Sequence, residues 1–471
     1  MPSDICYLTA RELASLIRAR KLSAAEVMEA HLRRIEDVNP KVNAIVTIVA
    51  ERALEQAHAA DLAVARGDKL GVLHGLPVAH KDLFATAGIR TTFGSRIFED
   101  HIPTTSAIPV EKLQEAGAIT IGKTNTPEFG AGSQTFNEVF GPTRNPHDLS
   151  KTCGGSSGGS AVAVACGMVP IADGTDSGGS LRNPPAFCGV VGMRTSPGRV
   201  ANPVGLNPWS TLSVSGPIAR NVGDLALALS AMAGPDERCP VSITEPASIF
   251  TQDLNRNFKG VRVAWFKDMG GIPFEPAILE TVHAQRKVLE DLGCVVEEAE
   301  PDFEGVYQGY DTLRALGFVG DMTQHYLERR EMLKETIVWE IERGLQLDAH
   351  SLAGAYALKG TAWEMMHKLM QTYEYFICPT TQVLPFDVNQ PYPTQINSVK
   401  MQTYVEWQKS CILVSALENP AISVPCGYVG NLPVGLQIVG RHRQDFSVLQ
   451  FAHAYEQATP HHKRVIGLEH F

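Results

Sequence analysis

Residues 153–182 read CGGSSGGSAVAVACGMVPIADGTDSGGSLR, and this stretch indicates both the fold and the chemistry of the chain. It holds two serine clusters framed by glycines, at 154–160 and 174–180, with an apolar run between them. Glycine allows backbone conformations that other residues resist and leaves main-chain N–H groups exposed. Successive N–H groups that point into one concavity stabilise an anion or a developing oxyanion. The stretch therefore predicts serine hydroxyls beside backbone donors, which is half of a site for acyl transfer.

A lysine in an apolar setting is the second informative feature. Residues 73–84 read LHGLPVAHKDLF, and the segment 77–79 predicts a short buried strand that leads to Lys81. Burial of an ammonium group is costly, so a buried lysine has a lowered pKa and can serve as a base near neutral pH. Two structural interpretations compete: the side chain extends to the surface, or it pairs with Asp82. From the residue pattern alone, all three interpretations stay open.

Predicted strands and helices alternate along the chain. Capping-box patterns over 9–12 and 23–26 predict two helix starts, and the second helix should end before Pro40. The pattern further predicts helices over 50–65, 106–116, 162–166, 276–292 and 446–457, and strands over 118–122, 261–266, 294–298 and 435–439. This alternation favours an α/β fold in which helices cover both faces of a central mixed β-sheet.

The same elements suggest how the chain is organised. We predict a single domain over 1–471, in which N-terminal helices over 1–65 precede a catalytic core over 66–235. Residues 300–400 should form a helical cap with loops over the site. The segment 235–260 is rich in proline and polar residues, as is the end of the cap region from 381, and both are predicted as loops.

The composition excludes several classes of protein. The chain has 471 residues, of which 44% are hydrophobic and 20% charged, as is typical of a globular protein with a large core. Its net charge of −10 argues against a nucleic-acid surface, and no run of about 18 apolar residues predicts a membrane span. The first residues show neither a basic start nor an apolar segment, so we predict no secretory signal and a cytoplasmic protein. Nine cysteines without a CxxC pair favour a reducing compartment and mostly buried thiols.

Other uses of a glycine-rich loop do not fit these residues. A nucleotide site would need a Walker lysine, or a GxGxxG turn between a strand and a helix. There is no HExxH motif and no metal-spaced Cys/His cluster, so we predict neither a metal nor a cofactor. Cys153 and Cys188 lack a nearby histidine in sequence, and no GxSxG elbow surrounds either serine cluster. A hydroxyl nucleophile with a lysine base is what remains.

These motifs and their spacing resemble the amidase signature family. That family has a lysine, a serine on a cis peptide bond and a second serine in this order, and Lys81, Ser156 and Ser180 follow at its separations of 75 and 24 residues. The similarity continues in GKTNTPEF at 122–129, FCGVVG at 187–192, GPIARNVGD at 216–224, PAISVPCG at 420–427 and PVGLQIVG at 433–440. The resemblance covers nearly the whole chain and implies the amidase signature fold.

The resemblance also implies residue roles. Ser180 is expected to be the nucleophile, while Ser156 relays its proton to a neutral Lys81. The expected oxyanion hole consists of the main-chain N–H groups of Ser177, Gly178, Gly179 and Ser180. The positions that match hydrogen-bonding residues around the triad are Ser157, Asp176 and Arg182, whose alternative role is support of the loop alone.

The family's substrates are amides of several kinds, with some esters and carbamates. We predict a stand-alone hydrolase of aryl or hydrophobic amides, esters and carbamates, similar to aryl acylamidases and urethanases, acting as a monomer or homodimer without nucleic-acid or membrane partners. Pocket candidates are Phe129, Gly132, Ser133, Phe136, Trp209, Trp339 and Trp407, although an aromatic residue is by itself more often part of the core than a substrate contact. The alternatives are the glutaminase-like subunit of a tRNA-dependent amidotransferase and an inactive binding protein on the same scaffold.

Overall fold

The computed structural model describes residues 2–203, 205 and 207–466, without the side chains of 2–4 and 462. Its strands are β1 Ile45–Ile48, β2 Pro77–Lys81, β3 Ile119–Thr124, β4 Arg144–Asn145, β5 Asp148–Thr152, β6 Ile171–Asp176, β7 Val191–Arg194, β8 Val214–Ala219, β9 Arg262–Trp265, β10 Val295–Glu298, β11 Tyr375–Pro379, β12 Gln395–Ile396, β13 Val399–Lys400, β14 Ala421–Val429 and β15 Leu432–Gly440. Its α-helices are α1 Pro2–Tyr7, α2 Ala10–Arg18, α3 Ala24–Val42, α4 Ala50–Arg66, α5 Ile108–Glu115, α6 Gly158–Ala165, α7 Asn183–Cys188, α8 Val222–Met232, α9 Pro276–His283, α10 Arg286–Asp291, α11 Val306–Arg329, α12 Glu335–Gly344, α13 Ala349–Thr372, α14 Lys409–Ala416 and α15 Asp445–Ala458.

Eleven of the described strands form one mixed sheet, in the order β1-β3-β2-β6-β8-β7-β14-β15-β11-β9-β10. The neighbours β3, β2 and β6 run parallel, as do β11, β9 and β10, and the remaining pairs are antiparallel. Every residue of β2, β3 and β8 is buried, so the sheet is covered on both faces here. The predicted α/β class with a central mixed sheet is confirmed.

The N-terminal capping boxes form as predicted. Glu12 N–H donates to the Thr9 hydroxyl at 3.1 Å, and Ser23 caps α3 in the same way through Glu26 N–H at 3.0 Å. The prediction that this second helix ends before Pro40 is wrong, because α3 continues to Val42. Pro40 lies in the last turn, where both it and Glu36, the residue four positions earlier whose carbonyl loses a partner, are exposed.

The helix predicted over 276–292 is two helices instead. The break lies at Gln285, whose side-chain Nε2 donates to the Thr281 carbonyl at 3.2 Å, while its main-chain N–H donates to Val282 at 2.9 Å. The Thr281 carbonyl is the group that Gln285 N–H would contact in a continuous α-helix. The side chain therefore competes with its own backbone, and α9 ends before α10 begins.

Residues 306–372 are mostly helical, as predicted, and we call α11–α13 the cap. The predicted loop 235–260 contains only a short 3-10 turn over 247–251, and the segment from 381 ends in the small hairpin β12–β13. All nine cysteines are buried and unpaired. The predicted domain boundaries stay a prediction. Among the described residues, no helix is long and apolar enough to cross a bilayer.

Candidate active site

Lys81 is the last residue of β2 and its side chain is fully buried. The amine Nζ lies 2.7 Å from Ser156 Oγ, 2.9 Å from Ser157 Oγ and 2.9 Å from Thr175 Oγ1. The two competing interpretations of this lysine are wrong: it does not extend to the surface, and Asp82 bonds elsewhere, accepting from the Thr92 hydroxyl at 2.6 Å. The amine therefore lies in a cluster of neutral hydroxyl groups.

The hydrogen bonds continue from this amine to the second serine cluster. Ser156 Oγ lies 3.0 Å from Ser180 Oγ, so Lys81, Ser156 and Ser180 form one unbroken chain. The peptide bond between Gly155 and Ser156 is cis. Ser156 lies just before α6, and Ser180 lies in the turn after β6. The two serine-glycine clusters, 24 residues apart in sequence, thus meet at one point.

Burial lowers the pKa of Lys81 to about 7, although the nearby carboxylates Asp176 and Asp173 act in the opposite direction. A neutral amine has two N–H donors and one lone pair, which matches three hydroxyl neighbours. The Ser157 hydroxyl is 3.3 Å from the Thr175 carbonyl, to which it can donate while it accepts from Nζ. With N–H bonds to Ser157 and Thr175, the lone pair is left for the proton of Ser156. The geometry can therefore remove a proton from Ser180 through Ser156.

Asp176 organises the turn that carries Ser180. Its carboxylate accepts from Gly179 N–H at 2.9 Å and from Leu181 N–H at 3.0 Å. Arg182 and Arg194 both bond to it at 3.0 Å, and all three charged side chains are fully buried. Burial raises the pKa of Asp176, but the two guanidinium groups outweigh burial and hold this pKa well below its ordinary range. The turn is thus fixed by a buried, compensated charge.

One N–H group of the expected oxyanion hole differs from the other three. Gly179 N–H already donates to Asp176 in this structure, whereas Ser177, Gly178 and Ser180 N–H have no acceptor among the described residues. Gly179 has a φ of +129°, and a Cβ there would come within 2.5 Å of Cys411 Cβ. Glycine at this position is therefore required by backbone conformation and by space.

The loop over 128–134 lies against the triad. A Cβ on Gly130 would be 3.5 Å from Ser156 Oγ, and one on Gly155 would be 2.8 Å from the carbonyl carbon of Ser133. Of the predicted pocket residues in this loop, Ser133 therefore lies beside Gly155, whereas a Cβ on Gly132 would be 3.5 Å from Lys334 Nζ. Phe129, in contrast, packs against the cap, where its ring stacks on His325 at 6.0 Å.

The predicted aromatic pocket residues are not gathered at one place. Trp407 belongs to the core: it is 1% exposed, packs on Phe187 and Phe386, and donates its indole N–H to the Tyr404 carbonyl at 3.0 Å. This burial does not support a substrate contact for Trp407. Trp209 is 68% exposed, and its role stays a prediction. The ring of Phe136 lies under Lys334, and that of Trp339 under Arg343.

Two residues that contact the site were not predicted from the sequence. Thr175 contacts the amine, and its position directly before Asp176 in the second cluster was the available signal. Arg194 contacts the Asp176 carboxylate, and an arginine at the end of a short apolar segment was a weaker signal. In the part of the chain that the structure describes, no three His, Cys, Asp or Glu side chains are placed to hold a metal ion.

Comparison with known proteins identifies the class to which this fold and site belong. Residues 26–449 match the family model described as Amidase. The chain therefore belongs to the amidase signature family and is a hydrolase of the amidase type.

Two kinds of relative are similar to the chain over nearly its whole length. The chain is 35% identical to the acylamidase of Rhodococcus erythropolis, covering 97% of this chain and 96% of that protein. It is 36% identical to a glutamyl-tRNA(Gln) amidotransferase subunit from Carboxydothermus hydrogenoformans, covering 98% and 99%. These sequence identities do not separate the two groups.

Solved structures differ more clearly in how well their backbones superpose on this chain. A bacterial aryl acylamidase of the amidase signature family superposes with a TM-score of 0.91 at 28% identity, over 97% of this chain and 98% of the other. The corresponding glutamyl-tRNA(Gln) amidotransferase subunit from Thermotoga maritima gives a TM-score of 0.73 at 29% identity, over 97% and 96%.

Proposed function

We propose that this chain hydrolyses aryl or other hydrophobic carboxylic amides through an acyl-enzyme on Ser180, with esters and carbamates as further substrates. The observation that carries the proposal is the continuous hydrogen-bonded chain from a buried amine at Lys81, through Ser156, to Ser180. A lysine with a pKa of about 7 is substantially neutral at physiological pH, as a general base must be.

In the acylation step, Ser180 Oγ attacks the amide carbonyl carbon. Its proton passes to Ser156 Oγ while the proton of Ser156 passes to Lys81 Nζ, so that the relay serine ends neutral. The carbonyl oxygen becomes an oxyanion beside the unoccupied N–H groups of Ser177, Gly178 and Ser180. One such donor typically contributes about 10²–10³ in kcat.

Collapse of the tetrahedral intermediate breaks the C–N bond. The ammonium of Lys81 returns its proton through Ser156 to the leaving nitrogen, which departs as the free amine. Water then attacks the ester carbonyl and gives a proton to the same relay. When the second intermediate collapses, the relay reprotonates Ser180, the carboxylic acid leaves, and the enzyme returns to its starting state.

The preference for aryl or hydrophobic amides rests on the structural comparison. The aryl acylamidase superposes with a TM-score of 0.91, against 0.73 for the amidotransferase subunit, although the two identities are 28% and 29%. The backbone of this chain is therefore more similar to that of the stand-alone enzyme.

The amidotransferase subunit is the second candidate, because one such protein is 36% identical over almost the whole chain. Such a subunit would release ammonia from glutamine for a partner enzyme. The experiment that separates the two is hydrolysis by the purified chain of p-nitroacetanilide, an aryl carbamate and glutamine. We expect turnover of the anilide and none of glutamine. Glutamine hydrolysis without anilide turnover would support the second candidate.

A further inference from the structure

A buried histidine–aspartate pair lies directly behind the proposed base. His80 precedes Lys81 on β2 and Asp173 lies on β6, and the side chains of both are fully buried. His80 Nδ1–H donates to Asp173 Oδ2 at 2.5 Å. The other carboxylate oxygen, Oδ1, accepts from the main-chain N–H of Lys81 at 2.7 Å. The pair therefore contacts the backbone of Lys81 but none of the three hydroxyls around its amine.

The side chain of Asp173 takes the place of a backbone acceptor for the main-chain N–H of Lys81. The parallel ladder between β2 and β6 pairs Val78 with Ile171 and Ala79 with Ala172, and ends there. Lys81 N–H lies beyond the end of this ladder and uses the Asp173 carboxylate as its acceptor. Because buried N–H groups are nearly always paired, this contact fixes where β2 delivers its last side chain.

The surrounding hydrogen bonds define the charge of the pair. Gln114 Nε2 donates to the Thr120 hydroxyl at 3.1 Å, and this hydroxyl lies 3.0 Å from His80 Nε2. If the imidazole is neutral with its proton on Nδ1, Thr120 donates to Nε2 and every group is paired. If the imidazole were charged, Nε2–H and Gln114 would both donate to Thr120, and the buried hydroxyl proton would have no acceptor in this network. The network thus fits a neutral histidine and an ionised Asp173.

The carboxylate of Asp173 has no arginine beside it in the described part of the chain, and the buried Lys123 acts on it only at longer range. Among the described residues, no arginine or lysine side chain contacts its carboxylate, whereas Asp176 is held by both Arg182 and Arg194. The ionisable groups that surround Lys81 are Asp82 on its own segment, Lys123 on β3, Asp173 and Asp176 on β6, Arg182 in the following turn and Arg194 on β7. Asp176 and Asp173 both favour the ammonium form of Lys81, Asp176 more strongly, and Asp173 is the one of the two without an arginine partner among the residues described.

We infer that Asp173, kept ionised by a neutral His80, is a positioning residue that sets the pH range in which Lys81 acts as the base. This inference rests on the proposed function of Lys81. The negative charge of Asp173, like that of Asp176, favours the ammonium form, so it limits how far burial lowers the pKa of the lysine. Without the charge, Lys81 would stay neutral at lower pH but would also be a weaker base.

Asp173→Asn is the direct test, because an asparagine oxygen can still accept from Lys81 N–H while the charge is gone. The measurement is the pH dependence of the rate at which an alkyl fluorophosphonate labels the full chain, from pH 5 to 9. For the wild type we expect a rate that rises with pH through about 7 and then levels off. In the variant, this rise should move to lower pH by about one unit, with a lower plateau.

Three further variants keep the test decisive if Asp173→Asn does not fold. His80→Leu removes the donor that keeps Asp173 ionised and should move the rise in the same direction. His80→Asn retains a donor near the position of Nδ1 and should leave the rise where it is. Asp224→Asn is the matched control, because Asp224 is also buried and accepts main-chain N–H groups, from Ala10 at 2.8 Å and Arg11 at 3.1 Å, but lies on α8.

The outcomes distinguish a failure of the inference about Asp173 from a failure of the proposed role of Lys81. A rise that stays at the wild-type pH in both Asp173→Asn and His80→Leu would overturn the inference and leave Lys81 as the base. A rise that moves equally in Asp224→Asn would also overturn it. A wild-type profile that is flat from pH 5 to 9 would instead contradict the proposed function of Lys81 itself.

Discussion

At the scale of single residues, the amine of Lys81 is buried against three hydroxyl groups and, within the described part of the chain, contacts no carboxylate. Burial is the cause that lowers its pKa to about 7, and a direct ion pair would have cancelled that effect. The charged partners that the active-site turn needs are placed on Asp176 instead, where two arginines compensate the carboxylate. Because the Lys81 amine is kept apart from the ion pairs of Asp176, one small region can contain both a neutral base and a fixed ionic network.

Substitution of Thr175 tests the role of the hydroxyl groups around the Lys81 amine. Thr175→Val removes one of the two hydroxyls to which the neutral amine donates, so the lone pair is less firmly directed at Ser156. We expect kcat to fall about fivefold with little change in KM, since a hydrogen bond of this kind is worth about 1 kcal/mol. Steady-state kinetics on an anilide substrate measures the effect. Thr175→Ser, which keeps the hydroxyl, should retain most of the activity, and equal loss in both variants would contradict this role.

The residues of the proposed triad were indicated by the resemblance to the family, which rests on three motifs at matching separations, and their amine and hydroxyl groups lie within hydrogen-bonding distance. The occupation of Gly179 N–H by Asp176 could not be predicted from the sequence, since it depends on how the turn closes in three dimensions. The burial of Trp407 was also beyond the sequence, because a tryptophan that lines a pocket and one that fills a core follow the same local pattern.

At the scale of elements, the cap contacts the turn that carries the nucleophile. Tyr310 of α11 is buried, and its hydroxyl would lie 2.5 Å from a Cβ on Gly178. At the N-terminus of α12, Lys334 N–H donates to Glu128 Oε2 at 2.7 Å, which joins the cap to the loop beside Ser156. The position of the cap and the shape of the nucleophile turn are therefore coupled through a few contacts.

Gly178→Ala tests this coupling. The added methyl group would meet the Tyr310 hydroxyl at 2.5 Å, so either the turn or α11 must shift, and we expect activity to fall by at least about tenfold. Tyr310→Phe removes the obstructing oxygen and leaves Ile412 Cγ1, at 3.2 Å, as the nearest atom. The double variant should recover a large part of the lost activity. Activity of the double variant no higher than that of Gly178→Ala would contradict the proposed contact.

The sequence predicted helices and strands correctly where their formation depends on residues close together in the chain. The capping boxes of α2 and α3 depend on residues three apart, and both form. The pattern did not predict β6, β7, β8 or β14, because these strands are buried on both faces, show no alternation and contain glycine or proline. The break at Gln285 depends on a side-chain contact with Thr281 that helix periodicity cannot reveal.

At the scale of the whole molecule, the ionic network around Asp176 joins distant segments. Arg182 also donates to the Cys411 carbonyl at 3.0 Å, to Ser415 Oγ at 2.5 Å and to Gln437 on β15. The network therefore connects the active-site turn to α14 and to the middle of the sheet. Loss of one member of such a buried network leaves the other charges uncompensated.

Asp176→Asn should lower the free energy of unfolding by about 3–5 kcal/mol at pH 7, because Arg182 and Arg194 lose their buried anion. The pKa of Asp176 is lower in the folded state than its ordinary value of 3.8, so its contribution to stability is present above that value and is lost as the pH falls below it. Urea unfolding at several pH values measures both effects. Asp291→Asn, in an exposed pair with Lys287, is the control and should change stability little.

The class of fold was predictable from the alternation of strands and helices, but the order of the strands was not. β6 lies between β2 and β8, and β7 pairs with β14 more than 220 positions later in the chain. Such pairings are decided by the burial of whole faces, for which a single sequence holds no local signal.

Labelling by a fluorophosphonate, followed by peptide mass mapping, identifies the nucleophile. We expect one adduct, on Ser180, that is absent in Ser180→Ala. In Lys81→Ala, this adduct should form more slowly by a factor of about 10² or more. Ser230→Ala, on α8, should be labelled at the wild-type rate. An adduct that maps to another residue, or undiminished labelling of Ser180→Ala, would contradict the account.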